Sequence, residues 1–183
     1  MIFHETSIDG AFLIELEPYE DERGSFSRIV CQNEFAAAGI SLLVAQANLA
    51  TSTRAGVVRG LHYHEKPVHE QKLVRCVAGA VFDVIMDMRP ESATYLSVFT
   101  ARLDTRNRHS VFIPAGVAHG YQTLEDDTAF MYMTDHFFTP GYEKGVRYDD
   151  PVARIEWPMT PRDLAERDKR WPHLQAARGT VTS

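Results

Sequence analysis

Cysteine is scarce in this chain: 183 residues hold two, Cys31 and Cys76. Two thiols make no disulfide framework, and Cys76 sits inside an apolar strand pattern. The expectation is two reduced, buried thiols in a cytosolic protein. An excess of positive charge is missing too. Nineteen Lys and Arg stand against 25 Asp and Glu, a formal net charge of −6. No general basic field exists to hold nucleic acid or an anionic membrane, so any positive charge that matters must be local. No apolar run approaches the roughly 20 residues that cross a bilayer. The opening MIFHETSIDGAF lacks the charged-then-apolar layout of a signal peptide. Repeats, low-complexity tracts and linkers are absent. With 44% hydrophobic residues, the length suits one domain over residues 1–183 with a full-sized core.

What is present is mostly strand. Runs of β-prone residues at 11–16, 26–30, 73–77, 80–88, 95–103, 110–113 and 129–133 are separated by Gly, Pro, Asp or Asn. The crossover helices of a parallel sheet are missing, which points to an antiparallel barrel or sandwich. Residues 33–38 read as one or two helical turns stopped by Gly39 as a left-handed cap. Residues 161–170, PRDLAERDKR, read as a short C-terminal helix with proline near its start. In 80–88 the alternation puts Val81, Asp83, Ile85 and Asp87 on one face, which implies a polar lumen or an exposed side.

The chemistry concentrates in residues 57–74, VVRGLHYHEKPVHEQKLV. Strict alternation puts Arg59, Leu61 and Tyr63 on one face and Gly60, His62 and His64 on the other. Two imidazoles on one strand face, with cations nearby, suit a pocket that moves protons or binds a metal beside an anion. His69, next to Pro67, reads as exposed. A second segment, PAGVAHGY at 114–121, starts a strand with His119 just after a turn. Proton abstraction beside a carbonyl needs a base that titrates near neutrality, the province of histidine. It needs a cation or donor for the developing enolate oxygen, which Lys72 or His119 supplies. It also needs an acid to return the proton, and Tyr132 is available on another strand. Arg59 suits an anionic handle such as a phosphate. The same residues support a rival set, since His62, His64, Glu70 and His119 make a three-His, one-carboxylate metal site.

GVVRGLHYH…KLVRCVAGAVFDVIMDMR, FIPAGVAHGY and FMYMTDHFFTP…DDP…EWP occur in this order. In these motifs the chain resembles the dTDP-4-dehydrorhamnose 3,5-epimerases of the cupin superfamily, from about residue 8 to 168. The resemblance implies a mainly β, cupin-type jelly-roll barrel with a short C-terminal helical tail. It implies a homodimer that epimerises a nucleotide-diphosphate 4-keto-6-deoxyhexose without metal or cofactor. It makes His62 the base, Tyr132 the acid, and Asp168 the carboxylate that pairs with the base, with Asp163 as its rival. Arg59, Lys72 and His119 become substrate contacts, and Arg167 a basic ligand contact. Arg23, Gln46, Asn48 and Glu143 become nucleotide contacts, some of them reaching the partner subunit's ligand. Phe138 stands where the family stacks the base on a tyrosine. Arg28 replaces a usual acid, and His64 and Met133 replace a usual glutamine and lysine. Epimerisation is thus carried over more directly than thymidine specificity. Uridine, cytidine or guanosine diphosphate sugars, inversion at C3 alone, and a ketoisomerase or binder on the same barrel stay compatible with these residues.

Overall fold

The computed structural model describes residues 1–174; the last stretch of the expected domain, 175–183, lies outside the described residues. Thirteen strands and two short helices follow one another. They are β1 (Ile2–Glu5), β2 (Phe12–Glu15), β3 (Tyr19–Asp21), β4 (Gly24–Phe26), α1 (Gln32–Ala37), β5 (Gln46–Ser52), β6 (Val58–His64) and β7 (Lys72–Ala78). Then come β8 (Ala80–Asp87), β9 (Val98–Asp104), β10 (Ser110–Ile113), β11 (Val117–Thr123), β12 (Thr128–Thr134), β13 (Glu143–Gly145) and α2 (Glu166–Arg170). One sheet has the order β1-β2-β10-β7-β12-β5 and the other β13-β6-β11-β8-β9, with antiparallel pairing throughout. The mainly β architecture matches expectation. The two sheets face each other as separately hydrogen-bonded walls, so the jelly roll is a sandwich rather than a closed barrel.

Three apolar clusters hold these layers. Between the sheets, Val74, Val81, Ile85, Leu103, Val111 and Phe130 fill one end of the sandwich. Outside the six-stranded sheet, Phe35 of α1 packs with Ile14, Leu42 and Leu73. Outside the other sheet, Leu61, Val84 and Met86 are covered by Val146, Ala153 and Trp157 of the C-terminal segment. Each fully buried Leu, Ile or Phe contributes about 1.5–3 kcal/mol of transfer free energy.

Several local expectations change. Gly39 is the left-handed stop of α1, at φ +76. Residues 28–30 leave the strand pattern after β4, and β9 begins at Val98 because Leu96 turns through φ +65. The C-terminal helix covers only Glu166–Arg170. Arg162 instead lends its backbone to Val57 in a parallel bridge, and Asp163 at φ +50 blocks helical continuation. Both cysteines are free; Cys76 is buried, whereas Cys31 at the start of α1 is only half-buried. Burial pushes the Cys76 thiol up to about 11, which makes it inert. Among the described residues, no helix is long and apolar enough to cross a membrane.

The strand that carries most of the chemistry is irregular. Arg59 lies opposite Tyr121 and His62 opposite His119, so Gly60 and Leu61 together face the single residue Gly120. This β-bulge breaks the alternation. Leu61 and Tyr63 pack on the outer cluster as expected, but Arg59 turns inward and joins His62 and His64. Gly60 is obligatory here. Its φ is +107, and a Cβ would lie 2.6 Å from both Gly120 Cα and the His119 carbonyl oxygen.

Candidate active site

The end of the sandwich left open by the apolar core is a cavity of about 510 Å³. Its walls follow from strand register. On the six-stranded side, Gln46, Thr134 and Lys72 form one cross-strand row, and Asn48, Tyr132 and Val74 the next. On the five-stranded side, Gly145, His62, His119 and Ile85 form the row that faces them. His62 and Tyr132 therefore line one cavity from opposite walls.

His62 is held from behind. Its Nε2 lies 2.6 Å from Oδ1 of Asp168 on α2, and the Gly60 N–H donates to the other carboxylate oxygen at 3.3 Å. Asp168 is 2% exposed. Burial alone would raise its carboxyl. The His62 hydrogen bond and charge, the Gly60 N–H and the Arg167 guanidinium outweigh that, and hold it below the usual carboxylate range. An ionised Asp168 only accepts, so Nε2–H is the donor and Nδ1 is the nitrogen left to face other groups. That nitrogen lies 3.6 Å from Glu143, which in turn pairs with Arg167 at 2.7 Å. Asp168, not Asp163, is the carboxylate that reaches His62; Asp163 sits on the cavity rim.

His119 is braced in the same fashion, its Nε2 2.7 Å from the buried Asp83 of β8. Its ring stacks on Phe130 at 5.8 Å and 16°, and Phe130 stacks on Tyr121 at 4.3 Å. Burial pushes the Tyr121 hydroxyl up to about 12. Asp83, Phe130 and Tyr121 were not singled out from sequence as site residues. The acid-bearing face of residues 80–88 was the one available signal, and it is the lumen. A third carboxylate, Glu70, receives His64 Nδ1 at 2.8 Å and Lys72 Nζ at 3.2 Å on the same oxygen.

The proposed metal set is not assembled. His62, His64 and His119 are each committed to a different carboxylate, and no three metal-ligating side chains converge among the described residues. Arg59 lines the cavity and anchors one Nη on the Thr51 carbonyl at 3.1 Å. Phe138 stands at the mouth, 71% exposed, its N–H donated to the Gln46 side chain at 2.5 Å. Glu143 and Arg167 form the rim beside His62. Arg23 is the exception. It caps the β3–β4 hairpin, paired with Asp21, outside the cavity of its own chain.

Comparison with known proteins points to one family. The family model for dTDP-4-dehydrorhamnose 3,5-epimerase matches residues 5–176. The enzyme of that name from Methanothermobacter thermautotrophicus is 40% identical over 177 residues, covering 94% of each chain. A dTDP-4-dehydrorhamnose 3-epimerase from Streptomyces niveus is 39% identical over 163 residues, covering 88% of this chain and 78% of its own. The crystal structure of the Bacillus anthracis 3,5-epimerase, with TDP and PPi bound, superposes with a TM-score of 0.91 at 32% identity. That match covers 94% of this chain and 99% of the other. A histidine–carboxylate pair facing a tyrosine across a jelly-roll cavity, with sequence likeness along nearly the whole chain, places this protein in the dTDP-4-dehydrorhamnose 3,5-epimerase family.

Proposed function

We propose that the protein epimerises C3, C5 or both of a nucleotide-diphosphate 4-keto-6-deoxyhexose, as an isomerase of deoxysugar biosynthesis that needs no cofactor. The observation that carries this reading is the His62–Asp168 pair on one wall and Tyr132 on the other. A C4 ketone acidifies the hydrogens on both neighbouring carbons. His62 Nδ1 takes one of them, and Asp168 stabilises the imidazolium that forms. Lys72 and His119 stabilise the enolate oxygen. Tyr132 returns a proton from the opposite side, which inverts the centre. Substrate and product share one oxidation level, so the reaction consumes no reductant. Arg59 takes the diphosphate, and Gln46, Asn48 and Phe138 serve the nucleotide end.

The working unit of this reading is a homodimer. Tyr19 and Phe26 on the projecting hairpin are 69% and 73% exposed. On the outer face of the six-stranded sheet, Leu49, Met131, Arg75 and Ser110 form a row, with Leu49 62% exposed. Among the described residues, the buried Arg75 Nε and Nη1 and the Ser110 hydroxyl have no hydrogen-bond partner. A second copy docked on this face supplies those partners and receives the hairpin, bringing Arg23 to the neighbour's nucleotide. The test is proton NMR in deuterated water with dTDP-4-keto-6-deoxyglucose. Exchange at C3, C5 or both is the expected result; no exchange at either carbon overturns the proposal.

A further inference from the structure

β6 carries two histidine–carboxylate pairs, and the reaction just described uses one. The second is His64 with Glu70. His64 follows His62 on the same inner face, and its side chain is 10% exposed. Nδ1 is bound to Glu70 at 2.8 Å, whereas Nε2 is buried without a hydrogen-bond partner among the described residues. A buried imidazole nitrogen left unpaired is destabilising, and a ligand that completes it removes that cost. Glu70 also holds Lys72 Nζ at 3.2 Å on the oxygen that His64 uses, so the three side chains move as one unit.

We propose that His64 is a second ligand-contacting imidazole: Nε2 hydrogen-bonds an oxygen of the bound sugar nucleotide beside the one Lys72 holds. This rests on the sugar-nucleotide reading above. Glu70 keeps Nδ1 as a donor, which leaves Nε2 to accept from a sugar hydroxyl when neutral and to donate to an oxygen when protonated. The charged groups around it are Glu70 and Lys72 from the β7 side, His62 along β6, and Glu143 on β13 directly opposite His64. Glu143 is engaged by Arg167 and Glu70 by Lys72, so both acids are already partly neutralised.

Calorimetry with dTDP-4-keto-6-deoxyglucose on a His62→Asn protein, in which turnover is expected to be greatly slowed, tests the role. The parent variant is expected to bind it. Adding His64→Leu should weaken binding about tenfold, the scale of one hydrogen bond to a charged ligand. Adding His64→Gln, which keeps a donor and an acceptor, should restore most of that affinity. A His64→Leu protein with native melting behaviour and the parent's affinity overturns the role of His64. So does a His64→Gln protein that binds as weakly as the His64→Leu protein. If the parent does not bind, the sugar-nucleotide reading itself falls, and this inference with it.

Discussion

At the scale of single residues, the site consists of imidazoles whose orientation is fixed by buried carboxylates. His62→Asn keeps a donor toward Asp168 but removes the base, and should lower exchange at every carbon by about 10²–10⁴-fold. A loss below tenfold, measured by deuterium uptake in folded protein, would remove His62 from the base role. Tyr132→Phe should separate the two half-reactions. Proton removal by His62 continues, so deuterium enters the substrate without net inversion, and wild-type turnover in this variant would exclude Tyr132 as the acid. The carboxylates also make the protein acid-sensitive. In Asp87, burial is outweighed by Arg89, Ser92 and Thr94, which hold the carboxyl well below its ordinary range, in the same direction as Asp168. The stability these groups contribute is complete above the unfolded value of about 4 and is lost as pH falls through their lower folded values. The urea midpoint should therefore decline as pH is lowered below about 4, and decline less steeply in Asp87→Asn.

At the scale of elements, one irregular strand decides the composition of the site. Alternation alone sends Arg59 away from His62. The Gly60–Leu61 bulge brings it back, because two residues spend the space of one opposite Gly120. Gly60→Ala should cost about 2–4 kcal/mol in chemical denaturation, since both its φ and its contact with Gly120 exclude a Cβ. Residual activity should fall further than stability does, because Arg59 loses its inward position. This bulge was invisible in the sequence: RGLH contains a glycine, but a glycine in a strand signals several things equally. The regular parts were legible. Runs of β-prone residues located β7, β8, β10 and β12, and the alternation in β8 gave Asp83 and Asp87 their shared face. The C-terminal helix was overextended because PRDLAERDKR has helix-forming composition throughout, while tertiary pairing of Arg162 with Val57 claims its first half. The partner of His62 was unresolved between Asp163 and Asp168 for the same reason, since only the folded turn at Asp163 fixes that register.

At the scale of the whole molecule, the proposed homodimer places the exposed hairpin and the open sheet face at its interface. The protein should sediment as a dimer, and Arg23→Ala should weaken dTDP binding in calorimetry while leaving the His62–Asp168 geometry intact. Unchanged affinity in that variant would detach the hairpin from the nucleotide. Arg28 at the base of the same arm is paired with Glu34 at 3.1 Å. A different kind of consequence comes from the stack of His119, Phe130 and Tyr121. Phe130 belongs at once to the cavity lining and to the central apolar cluster. No compliant layer lies between the chemistry and the packed interior, and close-packed interiors pass displacement onward rather than absorbing it. Trimming a methyl group from Val74 or Ile85, which carry no polar group of their own, should therefore loosen the bed on which His119 rests. Core packing and the placement of His119 are thereby coupled through the same three rings.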